Sequence, residues 1–168
     1  MGCCITLTGI ARDCGSSIGG IKRAWGACFD DAGKPTVTAD MITALGSSSV
    51  WKEFEFRKQT GSVTQTITND TTVGSSYVET EIVFQFSRQE TPKRIEINAI
   101  AQSDTAWIIQ DNNDRYWYFG YDNPVNLSAG TAETGTNFAD LNGYNITLND
   151  LSKQLAYEVS ASAMTSLI

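Results

Sequence analysis

Two pairs of glutamates are the residues whose spacing could support catalysis. Glu53 and Glu55, and likewise Glu79 and Glu81, lie two positions apart in segments with strand-like alternation, so each pair projects from one side of its strand. A glycosidase uses two carboxyl groups, one as acid and one as nucleophile or base. A solvated strand face explains the same pattern, because charged side chains are rarely buried. An acidic face could also line a channel, which would be a function without catalysis.

The chain contains no histidine, which removes the side chain that most often acts as general base and as metal ligand. Serine and cysteine residues therefore lack the usual partner that would activate them as nucleophiles. The sequence contains neither a phosphate-binding loop nor a dinucleotide-binding fingerprint. We therefore expect a protein that is not an enzyme and that needs no cofactor.

Two local patterns resemble metal sites but lack essential features. The run Asp-Asn-Asn-Asp at 111–114 resembles the start of a calcium-binding loop, but Tyr116 stands where such a loop requires glycine. A tight hairpin turn explains this run better. The cysteines have no spacing typical of zinc sites, which leaves free thiols or a local disulfide. These residues are Cys3, Cys4, Cys14 and Cys28, and we expect no metal site.

The N-terminal residues raise the question of membrane attachment. Met-Gly-Cys-Cys-Ile-Thr fits the short pattern for N-myristoylation, with two cysteines open to palmitoylation. No polybasic segment follows to strengthen membrane binding. Arg12 and Asp13 interrupt any apolar stretch that would act as a secretory signal, and no run of eighteen apolar residues occurs. We therefore expect no membrane association.

The charge balance argues against specific binding of nucleic acid. Lysine and arginine total 12, aspartate and glutamate total 19, and the formal net charge is -7. Affinity for a phosphate backbone comes mainly from clustered Lys and Arg. An acidic balance instead suits a surface past which DNA must slide without sticking.

The central part of the chain has the clearest strand periodicity. In residues 77–87, the apolar residues Val78, Ile82 and Phe84 alternate with polar residues that include Glu79 and Glu81. Residues 63–68 alternate as well, and residues 69–76 supply turn-forming side chains. We therefore predict one β-hairpin over 61–87, whose arms exceed the usual strand length of about 5–6 residues.

Other segments predict shorter elements around this hairpin. Thr91-Pro92 is typical of a helix start, so residues 93–103 should form a helix that buries Ile95, Ala99 and Ile100. We also predict a short helical turn at 40–45 and a long loop at 122–142. Strands are expected at 21–29, 50–58, 107–110, 115–121, 144–148 and 155–160.

These elements predict a mainly β protein, an antiparallel β-sandwich or barrel with one flanking α-helix and a long β-hairpin. We expect an irregular N-terminal arm at 1–20, a single β-rich domain at 21–163 and a C-terminal tail at 164–168. No internal repeat and no low-complexity linker divides the chain.

An aromatic cluster is the densest feature of the sequence. On a strand, Trp117, Phe119 and Tyr121 point to one side, whereas Tyr116 and Tyr118 point to the other. We expect one side to be core and the other to be surface or a subunit contact. A flat aromatic face would also stack against sugars, so a carbohydrate-binding β-sandwich is the rival interpretation.

Three stretches resemble the tail tube proteins of tailed bacteriophages. The first is the hairpin at 61–87 with the helix that follows it. The second is the hairpin at 107–120, which ends in aromatic residues and a glycine. The third is Asp-Leu-Asn-Gly-Tyr-Asn-Ile-Thr-Leu at 140–148, followed by Leu-Ala-Tyr-Glu-Val at 155–159. The resemblance covers residues 50–160 as an order of elements, without a diagnostic motif.

This resemblance implies a virion structural protein that forms hexameric rings, stacked into a tube for DNA ejection. The long hairpin would line the lumen and join subunits, and the arm and the loops at 30–49 and 122–142 would join rings. Its partners would be copies of itself, other tail proteins and passing DNA. A head–tail connector or a head decoration protein is the alternative within virions. The implied lumen residues are Glu79, Glu81 and Gln85, and the implied interface residues are Val63, Gln65, Ile67, Tyr77, Val83, Tyr116 and Tyr118.

Overall fold

The structure is a computed structural model that describes residues 6–168. Cys3, Cys4 and most of the lipidation pattern therefore lie outside the described residues. Residues 6–20 form an exposed arm without helix or strand. The end of this arm contacts the domain, because the side chain of Asn113 bonds the N–H and the C=O of Ile18 at 3.0 and 2.9 Å.

Residues 21–164 contain eleven strands and three helices. The helices are α1 (Phe29–Ala32), α2 (Thr91–Gln102) and α3 (Ala161–Met164). The strands are β1 (Ile21–Cys28), β2 (Thr36–Thr38), β3 (Met41–Ala44), β4 (Lys52–Phe54), β5 (Gly61–Asp70), β6 (Ser75–Ser87), β7 (Thr105–Asp111), β8 (Tyr116–Phe119), β9 (Asn126–Glu133), β10 (Gly143–Ser152) and β11 (Tyr157–Val159).

The strands form two sheets that pack face to face. The seven-stranded sheet has the order β2-β3-β11-β8-β7-β1-β4, and the four-stranded sheet has the order β5-β6-β10-β9. All neighbouring strands are antiparallel except β3 and β11, which are parallel. The predicted fold class, a mainly β antiparallel sandwich with a long hairpin and a flanking helix, is confirmed.

The predicted hairpin at 61–87 is present as β5 and β6, paired in continuous register from Gly61↔Phe84 to Asp70↔Ser75. Its turn is closed by the Asp70 carboxylate, which accepts the backbone N–H of Thr72 at 2.9 Å. Gly74 follows with a φ of 70°, a conformation that side chains with a Cβ rarely adopt. Local turn chemistry therefore sets the register between β5 and β6.

Strand β6 separates an inner face from an outer face, as its alternation predicted. Val78, Thr80, Ile82, Phe84 and Phe86 are buried, whereas the residues between them are exposed or half-buried. The inner face packs against the seven-stranded sheet, where Phe84 lies 5.3 Å from Trp107 between ring centroids. This first core lies between the two sheets.

A second core covers the other face of the seven-stranded sheet. Trp25, Ile108 and Tyr118 point away from the first core and pack with Trp51 and with Met164 of α3. The expectation that one side of the aromatic hairpin would be surface or subunit contact is therefore wrong. Both sides of β7 are covered, which explains why six of its seven residues are buried.

Four local predictions differ from the structure. The segment at 122–142 contains the eight-residue strand β9 instead of being one loop, and the predicted helical turn at 40–45 is strand β3. Helix α2 forms, but it buries Ile100 while Ile95 and Ala99 are exposed. Residues 164–168 are not a free tail, because Met164 is fully buried. In each case long-range packing decided the outcome against a weak local pattern.

In residues 6–168, no helix is both long and apolar enough to cross a membrane.

The two faces of β6 lead to a test with neighbouring residues. Phe84→Ala removes a fully buried ring and should lower the free energy of unfolding by about 3–5 kcal/mol. Val83→Ala, on the half-buried outer face, should cost about 1 kcal/mol or less. Urea denaturation measures both values, and equal costs would contradict the assignment of inner and outer faces.

Candidate functional site

The outer face of the four-stranded sheet carries the residues that the sequence assigned to a lumen. Glu79 and Glu81 are exposed there and Gln85 is half-buried, because all three alternate with the buried residues of β6. The side-chain amide of Asn149 on β10 donates to Glu79 Oε1 at 2.9 Å. The register places Thr66 beside Glu79, and Thr64 beside Glu81. This face therefore carries mainly hydroxyl, amide and carboxylate groups, with Val83 and Leu151 as apolar members.

The charge of this sheet is of one sign. None of its four strands, as the structure describes them, contains a lysine or an arginine. Glu133 on β9 adds a further carboxylate and accepts a hydrogen bond from Thr131 at 3.2 Å. Asp70 extends the acidic surface to the hairpin turn. A polyanion that passes this face would meet repulsion and no cationic contact.

The two outermost strands of this sheet, β5 and β9, each pair with one neighbour. Their other edges lack a strand partner within the described chain. Edge strands present rows of unpaired N–H and C=O groups, and natural proteins usually protect them with lysine, proline or a bulge. Strand β5 has none of these over ten residues. On β9 a bulge at Ser128 leaves Ala129–Glu133 as the regular part of the edge.

The backbone groups at the free edge of β5 can be identified. The N–H of Gln85 donates to the carbonyl of Thr60 at 3.0 Å. Because antiparallel ladders alternate, the even-numbered residues of β5 bond β6, and the odd-numbered residues direct N–H and C=O to the free edge. Val63, Gln65 and Ile67, the predicted interface residues of this strand, belong to the second set.

The side chains of these three residues differ in exposure. Val63 is half-buried against the first core, and Gln65 accepts the backbone N–H of Ala156 at 2.8 Å. Ile67 is 60% exposed near the hairpin turn. The free edge thus combines a backbone without a strand partner in residues 6–168 with an apolar side chain open to solvent.

The other predicted interface residues fall into two groups. Tyr77 is exposed and Val83 half-buried on the outer face. Tyr116 is half-buried, and its ring centroid lies 6.0 Å from that of Trp25. Tyr118 is 3% exposed within the second core. A residue so deeply buried in its own chain has no surface to offer a partner, so its assignment to a subunit interface is wrong.

The aromatic cluster does not form one exposed face. Trp107, Phe119 and Tyr118 are buried in the two cores. Trp117 is half-buried beside a cavity of about 280 Å³ between the sheets, where its indole N–H donates to the Asp111 carboxylate at 3.2 Å. The aromatic side chains therefore serve mainly as core, and the flat surface that would stack against sugars is missing from this hairpin.

The remaining candidates for chemistry lie apart or are occupied. Glu53 forms an ion pair with Arg23 at 2.6 Å between Nε and Oε1. The Asp111 carboxylate accepts the backbone N–H groups of Asn113 and Arg115, which identifies the run at 111–114 as a closed turn. Among residues 6–168, no group of three or more Cys, Asp or Glu side chains converges as a metal site. Cys14 and Cys28 are exposed free thiols.

Asp150 is a buried carboxyl group that the sequence analysis missed. It is 3% exposed on the inner face of β10 and its Oδ1 lacks a hydrogen-bond partner among the described residues. Burial raises the pKa of Asp150 to about 6, and the nearby charge of Asp122 acts in the same direction, against a hydrogen bond from the Gly120 backbone. The sequence does contain a signal for this burial, because Asp150 follows Tyr144, Ile146 and Leu148 at the same two-residue spacing and so lies on the buried face of the strand.

This burial predicts that stability depends on pH. The folded-state pKa of Asp150 lies above the ordinary value of 3.8, so folding disfavours the ionised form, and stability falls as pH rises from about 4 to about 6. Asp150→Asn should remove this fall and raise the free energy of unfolding by about 2–3 kcal/mol at pH 7, with little effect at pH 3.5. Denaturation at both pH values, in EDTA, measures the difference. Equal stability of the two proteins at pH 7 would contradict the prediction.

Comparison of the chain with protein-family models, with curated proteins and with solved structures gives no match. The class of the protein is therefore defined by its fold, a mainly β antiparallel sandwich. Its candidate site is the four-stranded sheet, with one acidic face and two edges open to further pairing.

Proposed function

We propose that the protein is a self-assembling structural subunit, a tail tube protein of a tailed bacteriophage. In this proposal the four-stranded sheets of neighbouring copies join edge to edge and form a closed ring, and rings stack into a tube. The observation that carries the proposal is the long, unprotected edge of β5 on a sheet whose outer face lacks basic residues.

Strand directions support the closure of a ring. Because β5-β6-β10-β9 is antiparallel throughout, β5 and β9 run in opposite directions. In a ring whose axis runs along the strands, the rotation that relates one copy to the next leaves the strand directions unchanged. The β9 edge of one copy would therefore meet the β5 edge of the next copy as an antiparallel pair, and the continuous sheet would have no irregular junction.

The dimensions support a conduit. Six copies of a four-stranded sheet supply 24 strands. At about 4.8 Å between strands, the ring has a circumference of about 115 Å and a diameter of about 37 Å before strand tilt widens it. Packed sheets lie about 10 Å apart, so the side chains of one sheet extend about 5 Å from its backbone. Side chains that point inward from opposite walls therefore reduce the diameter of the lumen to about 25–30 Å. Duplex DNA fits through such an opening.

The outer face of the sheet would line this lumen. Glu79, Glu81 and Gln85 would then face the passing DNA, together with the threonines of β5. Carboxylates repel phosphates, and neutral hydroxyl groups offer no ionic contact, so DNA would slide without binding. The inner face stays attached to the seven-stranded sheet through the first core.

Stacking of rings would cover other apolar side chains. Leu7 and Ile10 on the arm are 90% and 102% exposed, and Phe138 in the loop after β9 is 113% exposed. Large apolar side chains in full contact with water are typical of surfaces that a partner covers. In this proposal the arm and this loop contact the adjacent ring.

Blocking the β5 edge should prevent ring formation. The N–H of Ile67 faces the free edge, so Ile67→Pro removes one intermolecular donor without breaking the ladder to β6. We expect wild-type protein to form rings or tubes and Ile67→Pro to remain monomeric, by electron microscopy and sedimentation.

Two variants control for other effects of this substitution. Ile67→Thr also loses apolar surface but keeps the N–H and a strand-forming side chain, so it should still assemble. Thr66→Pro breaks the internal ladder and should lower the melting temperature as well as assembly. Assembly of Ile67→Pro at wild-type concentrations would refute the edge-to-edge contact, and rings without tubes would favour a head–tail connector.

Reversing the charge of the lumen should slow DNA passage. Glu79→Lys with Glu81→Lys replaces two negative charges by two positive charges on the outer face of each copy. Because phosphates bind lysine, we expect slower genome ejection from virions that nevertheless assemble. Glu55→Lys with Glu96→Lys, two exposed positions outside this sheet, is the matched control. Ejection at the wild-type rate in both double variants would count against a lumen at this face.

A further inference from the structure

Asp150, whose Oδ1 lacks a hydrogen-bond partner among residues 6–168, lines a small cavity. The cavity volume is about 10 Å³, which is the space of one water molecule or one ion. It lies where the end of β10 meets the turn after β8 and the strand β6 of the hairpin. Burying a carboxylate oxygen without a hydrogen-bond partner costs a large desolvation free energy. The presence of such an oxygen in a folded protein therefore needs an explanation.

The groups that line this cavity are oxygen ligands of a hard cation. A second carboxylate comes from Asp122, which is half-buried and whose Oδ2 accepts the backbone N–H of Lys153 at 3.2 Å. No lysine or arginine side chain belongs to the lining. The other lining residues with a hydroxyl or amide side chain are Thr80, Tyr121, Ser152, Gln154 and Tyr157. Tyr118 also belongs to the lining, but its ring packs in the second core.

The electrostatics of the cavity favour a positive occupant. Asp122 and Asp150 repel each other, and neither has an ion-pair partner among the described residues. A divalent cation would compensate both charges at once, which a water molecule cannot do. Hydroxyl, amide and carboxylate oxygens suit Ca²⁺, whereas zinc sites use the nitrogen and sulfur ligands that this cavity lacks.

We propose that the cavity between Asp122 and Asp150 is a binding site for a divalent hard cation, with Ca²⁺ as its best-fitting occupant. Asp150 Oδ1 and the Asp122 carboxylate are its charged ligands, and hydroxyl groups and water complete the coordination. Two carboxylates place the site in the weak class of calcium sites, with a dissociation constant of about 10⁻⁴–10⁻³ M.

Binding here would join the two sheets. Asp150 belongs to β10 of the four-stranded sheet, whereas Asp122 follows β8 of the seven-stranded sheet. A cation that binds both would stabilise the folded state in proportion to its concentration. The site is independent of the proposed tube, because all of its ligands come from one copy of the chain.

Terbium and calcium test the site directly. Tb³⁺ binds calcium sites, and its luminescence rises when a tyrosine close to the ion is excited; Tyr118, Tyr121 and Tyr157 line this cavity. We expect full-length protein, freed of metal with EDTA, to sensitise Tb³⁺ and to lose this signal on addition of Ca²⁺. About 10 mM Ca²⁺ should raise its melting temperature by several degrees.

Matched variants locate the bound ion. Asp150→Asn and Asp122→Asn should each lose the Tb³⁺ signal and the calcium-dependent stabilisation. Asp31→Asn, an exposed position on α1, should behave as wild type. Absence of binding by wild-type protein at about 10 mM Ca²⁺ would overturn the proposal and leave the cavity to a water molecule. Binding that survives Asp150→Asn would also overturn it, because the ion would then occupy the acidic outer face.

Discussion

The backbone ladder of the four-stranded sheet is the constraint on which the rest of the structure depends. Three antiparallel pairings, β5·β6, β6·β10 and β10·β9, satisfy the central strands and leave one row of polar backbone groups at each outer edge. In a monomer these groups form hydrogen bonds with water. A strand from another molecule would form the same hydrogen bonds cooperatively and would also bury surface at the edge. The same ladder fixes which side chains face outward, so the acidic face and the open edges are consequences of one register.

The seven-stranded sheet supports this arrangement by packing on both of its faces. Both of its faces are covered, one by the four-stranded sheet and one by the second core around Trp25 and Ile108. A sheet that is packed on both sides cannot twist freely, and it holds the four-stranded sheet through Trp107, Phe84 and their neighbours. The outer face and the free edges are thereby held in a fixed geometry, which would lower the entropic cost of the proposed association.

Much of the fold could be predicted from local patterns, whereas part of the candidate site could not. The hairpin at 61–87 was predictable because period-two alternation and turn residues agree over its length. Strand β9 was not, because Asn-Leu-Ser-Ala-Gly-Thr-Ala-Glu has little apolar alternation and becomes a strand by pairing with β10. The burial of Tyr118 could not be predicted either, since the ring that packs against it belongs to Trp51, which is distant in sequence.

The amino-acid sequence by itself determined the strand periodicity, the absence of basic residues from 61–87 and the lack of histidine chemistry, since these depend on residue type and spacing alone. Only the tertiary structure decided that β5 and β9 are the outermost strands, that Asp150 lies beside Asp122, and that a second core encloses Tyr118. The physical reason is that strand order and burial depend on the free energies of contacts between segments that are distant in sequence. A local residue pattern gives no information about those contacts.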